Sequence, residues 1–370
     1  MFRKKQKAII GICGFIATVF IISTVFVFAF NEVEVTNDAP PGDDALHHSI
    51  FIADGMSRWM VDSNGALYAW GRNYSGQLGD GTNENRYTPF LIKNGVRDVA
   101  SSISGFSAFA ITNDDVLWAW GSNGAGQLGD GTTQNRNTPV RIKDDIYKVV
   151  YADVTTFAID NDNTLWAWGS NSSGRLGDRS MIMHRNTPAR IKDNVRHVVA
   201  ANSHTFAIDY DNALWAWGHN AWGQLGIGTR ENSNVPTHVM DNVSRIISGS
   251  GTNFAITTDN ELYAWGNNQG GSLGDGTNTN RFAPVHIMDD VRDLIHTYNS
   301  SFAITTNNEL YAWGNNESGQ LGCGTTINQN RPVHIMDNIK ELTFVPTVHS
   351  YNFIYMSIFA ITNDNELYAW

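Results

Sequence analysis

The residues best able to do chemistry recur in matching positions. His238 stands in PTHVMD, and His286 and His334 each stand in PVHIMD. Imidazole is a common metal ligand, but these three occupy equivalent positions of neighbouring repeats. Such residues are too far apart to share one ion, and Leu91, Arg141 and Arg190 hold the sister positions. They read as exposed strand positions. Asp80, Asp130 and Asp275 lie in GDGT segments that suggest calcium. Calcium asks for six to eight converging oxygens. One Asp per repeat, replaced elsewhere by Ile227 and Cys323, does not supply them. A glycine-rich loop can cradle phosphate where it opens a helix, but these loops lead into strands and carry no Lys. No Ser-His-Asp set or carboxylate pair stands out from the Ser- and Asp-rich background. The sequence therefore predicts no catalytic residue, no metal and no cofactor.

What repeats is architecture. LYAWGRNYSGQLGDGT begins at Leu67, and close copies begin at Leu117, Leu165, Leu214, Leu262 and Leu310. The chain ends on a seventh LYAW. The pairs Trp70-Gly71, Trp120-Gly121, Trp168-Gly169, Trp217-Gly218, Trp265-Gly266 and Trp313-Gly314 mark the copies, and Trp370 closes the series. Spacings of 48 to 50 residues, with 57 before the last, signal a solenoid, propeller or array.

Each repeat reads as four short strands. A strand entered by proline comes first, as in TPVRIK from Thr138, because a proline at a strand's first residue breaks no central ladder bond. IYKVVYA, TFAID and TLWAW complete the unit, with Asn/Asp turns between the last two. Both faces are apolar: Leu165 and Ala167 face one way, Trp166 and Trp168 the other. A sheet buried on both sides must be sandwiched between like sheets, and radial stacking in a ring achieves this. The expected fold is all-β, a propeller of about seven four-stranded blades. The asparagines two residues after each Trp-Gly glycine (Asn73, Asn123, Asn171, Asn220, Asn268 and Asn316) are expected to close the loop by bonding to local backbone. Seven L-aromatic-A-W strands face only six glycine loops and six proline strands. The first blade, from about residue 46 to Trp70, is therefore expected to lack its first strand, with the closing strand to be supplied after Trp370.

The N-terminus is a separate region. Basic residues Arg3, Lys4, Lys5 and Lys7 (residues 1–7) precede an apolar run over residues 8–30, long enough to span a bilayer. Positive residues stay in the cytoplasm, so the chain is expected to cross outward. A cleaved signal peptide, giving a secreted protein, is the competing reading. Residues 31–45 form an acidic tether, and residues 46–370 the propeller. Net charge is −11; setting aside the four N-terminal basic residues leaves 21 basic against 36 acidic residues. Such a surface repels nucleic-acid backbones. Cys13 and Cys323 are too few and too scattered for a disulfide framework.

The motif W-G-x-N-x-x-G-Q-L-G-x-G-T, followed by proline, two strands and LWAW, resembles the repeat of the regulator of chromosome condensation family, over about residues 46 to 370. The anchor makes it similar to membrane-anchored or secreted bacterial members. The resemblance implies a monomeric propeller whose two chain ends usually share one blade. It also implies a protein-binding role, since secreted relatives inhibit β-lactamase, or nucleotide exchange on a GTPase, as in the eukaryotic namesake. The family usually carries His before the "AL" strand. Here His204 matches, while Ser107, Thr155, Thr252 and Ser300 stand in its place.

Departures from the repeat point to the site. Trp222 replaces the small residues Ser75, Ala125, Ser173, Gly270 and Ser318, and aromatics dominate interface hot spots. The last repeat holds extra length in VPTVHSYNFIYM, and insertions in repeats map to loops, often on the binding face. Val345, His349, Tyr351, Phe353 and Tyr355 are its candidate contacts. The namesake engages its GTPase through a protruding β-insertion, so the resemblance points the same way. The sequence predicts a non-catalytic module that binds a protein partner outside the cytoplasm. Wall or carbohydrate binding is a third reading, from the abundant Trp and Asn.

Overall fold

The computed structural model describes residues 50–53, 57–101, 106–152, 154–201, 203–249, 251–297, 299–349 and 353–370. The expected anchor (8–30) and tether (31–45) lie outside the described residues. Among the described residues no helix is long and apolar enough to cross a membrane.

Among the described residues twenty-seven strands form seven antiparallel sheets, the blades of a β-propeller, in chain order. Blade 1 covers residues 50–93, blade 2 96–143, blade 3 146–192, blade 4 195–240, blade 5 243–288, blade 6 291–336 and blade 7 339–369. Blade 3 is typical, with strands Ile146–Ala152, Thr155–Asp160, Leu165–Ser170 and His184–Lys192 in sequential order. Its second and third strands are joined by a tight turn that needs a left-handed residue, Asn163, at φ 61°. Asp160 holds that turn, its Oδ1 accepting the N–H groups of Asp162 (3.1 Å) and Thr164 (2.8 Å). Asn and Asp tolerate this conformation and bond their own backbone, which is why they fill these turns.

Two expectations are corrected. The proline strand does not open a blade; it closes the preceding one. Leu165–Ser170 pairs with His184–Lys192, so the glycine loop joins two strands of one sheet. The crossing between blades is the two-residue link after the proline strand, where Asp145, Asn194, Asn242, Asp290 and Asn338 sit at φ near 60°. With that phase, blade 1 is complete, since Ile50–Ala53 pairs with Ser57–Val61. The three-stranded sheet is blade 7.

The core lies between blades. Phe109, Ile111, Leu117, Ala119 and Leu128 of blade 2 pack with Ile146, Val149, Ala158 and Trp168 of blade 3. Trp120, Trp168, Trp217, Trp265 and Trp313 are fully buried. Each drives its indole under the preceding blade's glycine loop, and Trp168 Nε1 donates to the Gln127 carbonyl at 2.9 Å. Buried indole N–H groups need such a partner. Here the loop carbonyl supplies it, so one bond both satisfies the Trp and ties two blades together.

Candidate functional site

The ordinary glycine loop is closed on itself. In blade 2, Asn123 Oδ1 accepts the Leu128 N–H at 2.9 Å, and its Nδ2 donates to Asp130 Oδ1 and to the Thr132 carbonyl, each at 3.1 Å. Asp130 also accepts from Thr132 Oγ1 (2.8 Å) and Arg136 Nε (2.6 Å). Burial opposes ionisation of Asp130, but the bonds from Thr132 and Arg136 outweigh it and hold the carboxyl below its usual range. The expected role of the loop asparagines is therefore present, and the GDGT carboxylate oxygens are occupied by protein donors. A further bond ties the loop to the next blade: Asn186 Nδ2 donates to the Gly131 carbonyl at 2.8 Å. Asn137 and Asn330 make the same bond to Gly81 and Gly276, and Asn234 to Arg179.

The junction of blades 4 and 5 breaks this pattern at four positions together. Ile227 replaces the loop Asp, and Ser233 replaces the Arg that pairs with it in blades 1, 2, 3 and 5; blade 6 has Cys323 and Gln329 at these two places. Phe282 replaces the tying Asn; only its backbone carbonyl still receives the Gly228 N–H, at 2.7 Å. Trp222 replaces a small residue and is 49% exposed, with Phe282 37% exposed. The neighbours of Trp222 connect these groups. Ala221 accepts from Arg230 Nε at 2.9 Å, and Gly223 packs against the Phe282 ring. Arg230 lies 5.7 Å from the Phe282 ring centre. A polar tie has been exchanged for an exposed patch of Trp, Phe and Arg, the composition of an interface anchor. Trp222 was visible in the sequence. Phe282 was missed, although it departs from the Asn of RNTP in blades 2 and 3 as plainly as Trp222 departs from its sisters. Its signal was unreadable until the Asn was seen to donate across the junction.

The extra length of the last repeat forms a longer hairpin. In blade 6 the first two strands end at the pair Thr297–Ser300. In blade 7 pairing continues past the equivalent Val345–Ser357 through Pro346–Met356, Thr347–Tyr355, Val348–Ile354 and His349–Phe353. Val345, His349, Phe353 and Tyr355 lie on this backbone, and Tyr351 lies outside the described residues. Trp222 belongs to blade 4 and this hairpin to blade 7.

The three histidines of the outer strands are exposed, as expected. Each bonds an Asp three residues on, at 2.8 Å in every case. His204 is different: it is buried, with Nε2 against Ser248 Oγ (3.1 Å) and Asn253 Oδ1 (3.3 Å).

Comparison with known proteins agrees with the repeat. No curated protein matches the chain. Among solved structures, yeast RCC1 (Prp20) in its complex with Kap60 superposes with a TM-score of 0.57 and 21% identity, over 80% of this chain and 77% of that one. Prp20p of Saccharomyces cerevisiae, in a study of its binding to Gsp1p and histones, gives 0.55 and 21%, over 78% and 76%. Human WBSCR16 gives 0.57 and 18%, over 78% and 81%. These likenesses establish the fold. The profile of the RCC1-like domain matches residues 36–347, most of the chain, and by that match the protein belongs to the RCC1-like domain family.

Proposed function

We propose that this protein is a non-catalytic protein-binding propeller, held outside the cytoplasm on its N-terminal apolar segment. The observation that carries the reading is the concerted exchange at the blade 4–blade 5 junction. Loop Asp, its Arg partner and the tying Asn are lost together, and exposed Trp222 and Phe282 appear beside Arg230. Trp222 and Phe282 are each only partly covered, leaving apolar area on both rings that the fold itself does not bury. A protein partner can use that area, since Trp222 is presented by a loop already ordered by Asn220 and Phe282 by the strand Arg281–Met288, so little ordering cost remains on binding. The extended hairpin of blade 7, with Val345, His349, Tyr351, Phe353 and Tyr355, is the second contact region. The acidic balance of the chain favours a partner with a basic surface.

The test has two arms. External protease on intact cells is expected to degrade residues 46–370. Protection of that region would overturn the exported reading and leave nucleotide exchange on a cytosolic GTPase in its place. For the site, cross-linking from native membranes is expected to capture a partner with the wild type. The W222A/F282N double variant is expected to lose at least about tenfold in capture, the scale of a hot-spot pair. Equal capture by the two proteins would remove this junction from the interface.

A further inference from the structure

The outer strands of blades 5 and 6 carry a second concerted departure. Blade 2 ends its outer strand in R-I-K-D, with Arg141 paired to Asp144 and Lys143 over the Trp166 ring at 4.2 Å. Blade 3 repeats this with Arg190, Asp193 and Lys192 over Trp215. In blades 5 and 6 the segment reads H-I-M-D. Imidazole replaces guanidinium and Met replaces the ammonium. The residue before the third strand changes as well, from Val116 and Thr164 to Glu261 and Glu309. Each site loses two cations and gains an imidazole and a carboxylate.

These groups meet within one blade. The donor atoms of Glu261, His286 and Asp289 all lie within 4.8 Å of one another, and so do those of Glu309, His334 and Asp337. His286 Nε2 and Asp289 Oδ1 are 2.8 Å apart, as are His334 Nε2 and Asp337 Oδ1. Tyr263 orients the first set, its hydroxyl donating to Glu261 Oε2 at 3.3 Å and its ring meeting the His286 ring edge-on at 5.4 Å. Tyr311 holds the same relation to His334. Asp289 of one set and Glu309 of the other line a single cavity of about 450 Å³. The ligands come not from equivalent positions of neighbouring blades but from opposite ends of one hairpin.

We propose that blades 5 and 6 each bind one divalent transition-metal ion through an imidazole and two carboxylates. Neutral imidazole and carboxylate oxygens ligate zinc at about 2.0–2.2 Å, and three protein ligands leave a position for water. Calcium and magnesium favour all-oxygen sets, so the nitrogen selects against them. Blade 4 is a built-in control. It has His238 and Asp241, but Ala213 stands where the Glu would be, and the nearby Asp209 carboxylate already accepts from Trp215 Nε1 at 2.8 Å.

Calorimetric titration of zinc chloride into the full chain tests this. Two ions per chain are expected for the wild type and for H238A, one for H286A or H334A, and none for H286A/H334A. The near-isosteric pair E261Q/E309Q, which leaves strand packing untouched, is expected to weaken zinc by at least roughly the ten- to hundredfold that loss of an outer-shell partner costs. Magnesium chloride in excess is expected to leave the zinc isotherm unchanged. A wild type that takes up no zinc, or a double His variant with the wild-type stoichiometry, would overturn the proposal and leave these groups as strand-end ion pairs like those of Arg141 and Arg190.

Discussion

His204 occupies a position that its sister repeats give to a hydroxyl. Ser107 and Thr155 use that hydroxyl to bond the carbonyl just past the Trp-Gly pair, at 2.8 and 3.0 Å. The imidazole of His204 instead lies fully buried, and burial pushes its pKa down to about 4, with His219 and Arg175 adding to the effect. Burial does the same to His296, also to about 4. Both are neutral in the folded state, while the unfolded chain protonates them near 6.5. As pH falls from about 6.5 towards 4, the unfolded state takes up protons that the folded state refuses, so stability falls through that window. His204 accounts for about 1–2 kcal/mol between pH 7 and pH 5. His204→Thr is therefore expected to flatten the decline of Tm with acidity by about one His's share. A variant whose Tm falls as steeply as the wild type between those pH values would show that His204 does not carry the effect.

At the scale of the element, the glycine loop has two kinds of glycine. Gly129 and Gly131 both have left-handed φ, 83° and 82°. A Cβ on Gly129 would stand 2.6 Å from Trp168 Nε1, whereas one on Gly131 would meet nothing nearer than Thr187 Cγ2 at 4.0 Å. Gly131→Ala carries the backbone strain alone, about 1 kcal/mol. Gly129→Ala adds overpacking against a fully buried indole, for a total of about 2–4 kcal/mol. Urea midpoints at unchanged m-value check the difference, and equal costs would mean the indole is not pinned by the loop. This element also marks how far the sequence was legible. The strands, the asparagine turns and the seven Trp positions were all readable, because the repeat period translates directly into equivalent places in space. The phase of the blades was not. A two-residue link such as Asp144-Asp145 has the length of a hairpin, and a long glycine loop has the look of a crossing. The loop is long for a different reason: it must reach the Trp of the next blade while returning to its own sheet. The same blindness hid Phe282 and the Glu-His-Asp sets, whose partners lie across a junction or at the far end of a hairpin.

Across the whole molecule, six sheets have a proline strand on their outer edge and blade 7 has none among the described residues. The third strand of blade 7 carries the consequence. Leu367 is 65% exposed and Tyr368 36%, whereas Leu310, the matching residue of blade 6, is fully buried. Trp370 still reaches the Gln320 carbonyl of blade 6 at 3.0 Å, yet it is only half-buried. The repeat itself supplies the element that fits, since the loop and outer strand of blade 6 occupy residues 314–336. A copy of residues 314–336 fused after Trp370 is expected to form a fourth strand with the register of Leu310–Gly314 on Gln329–Met336. Burying Leu367 alone would contribute about 2 kcal/mol, so Tm should rise by several degrees. Amide exchange at residues 367–369 should slow towards that of the matching residues in blade 6. Unchanged exchange there would mean that the edge of blade 7 does not accept the strand its six sisters accept, and that the repeat rule stops at the sixth blade.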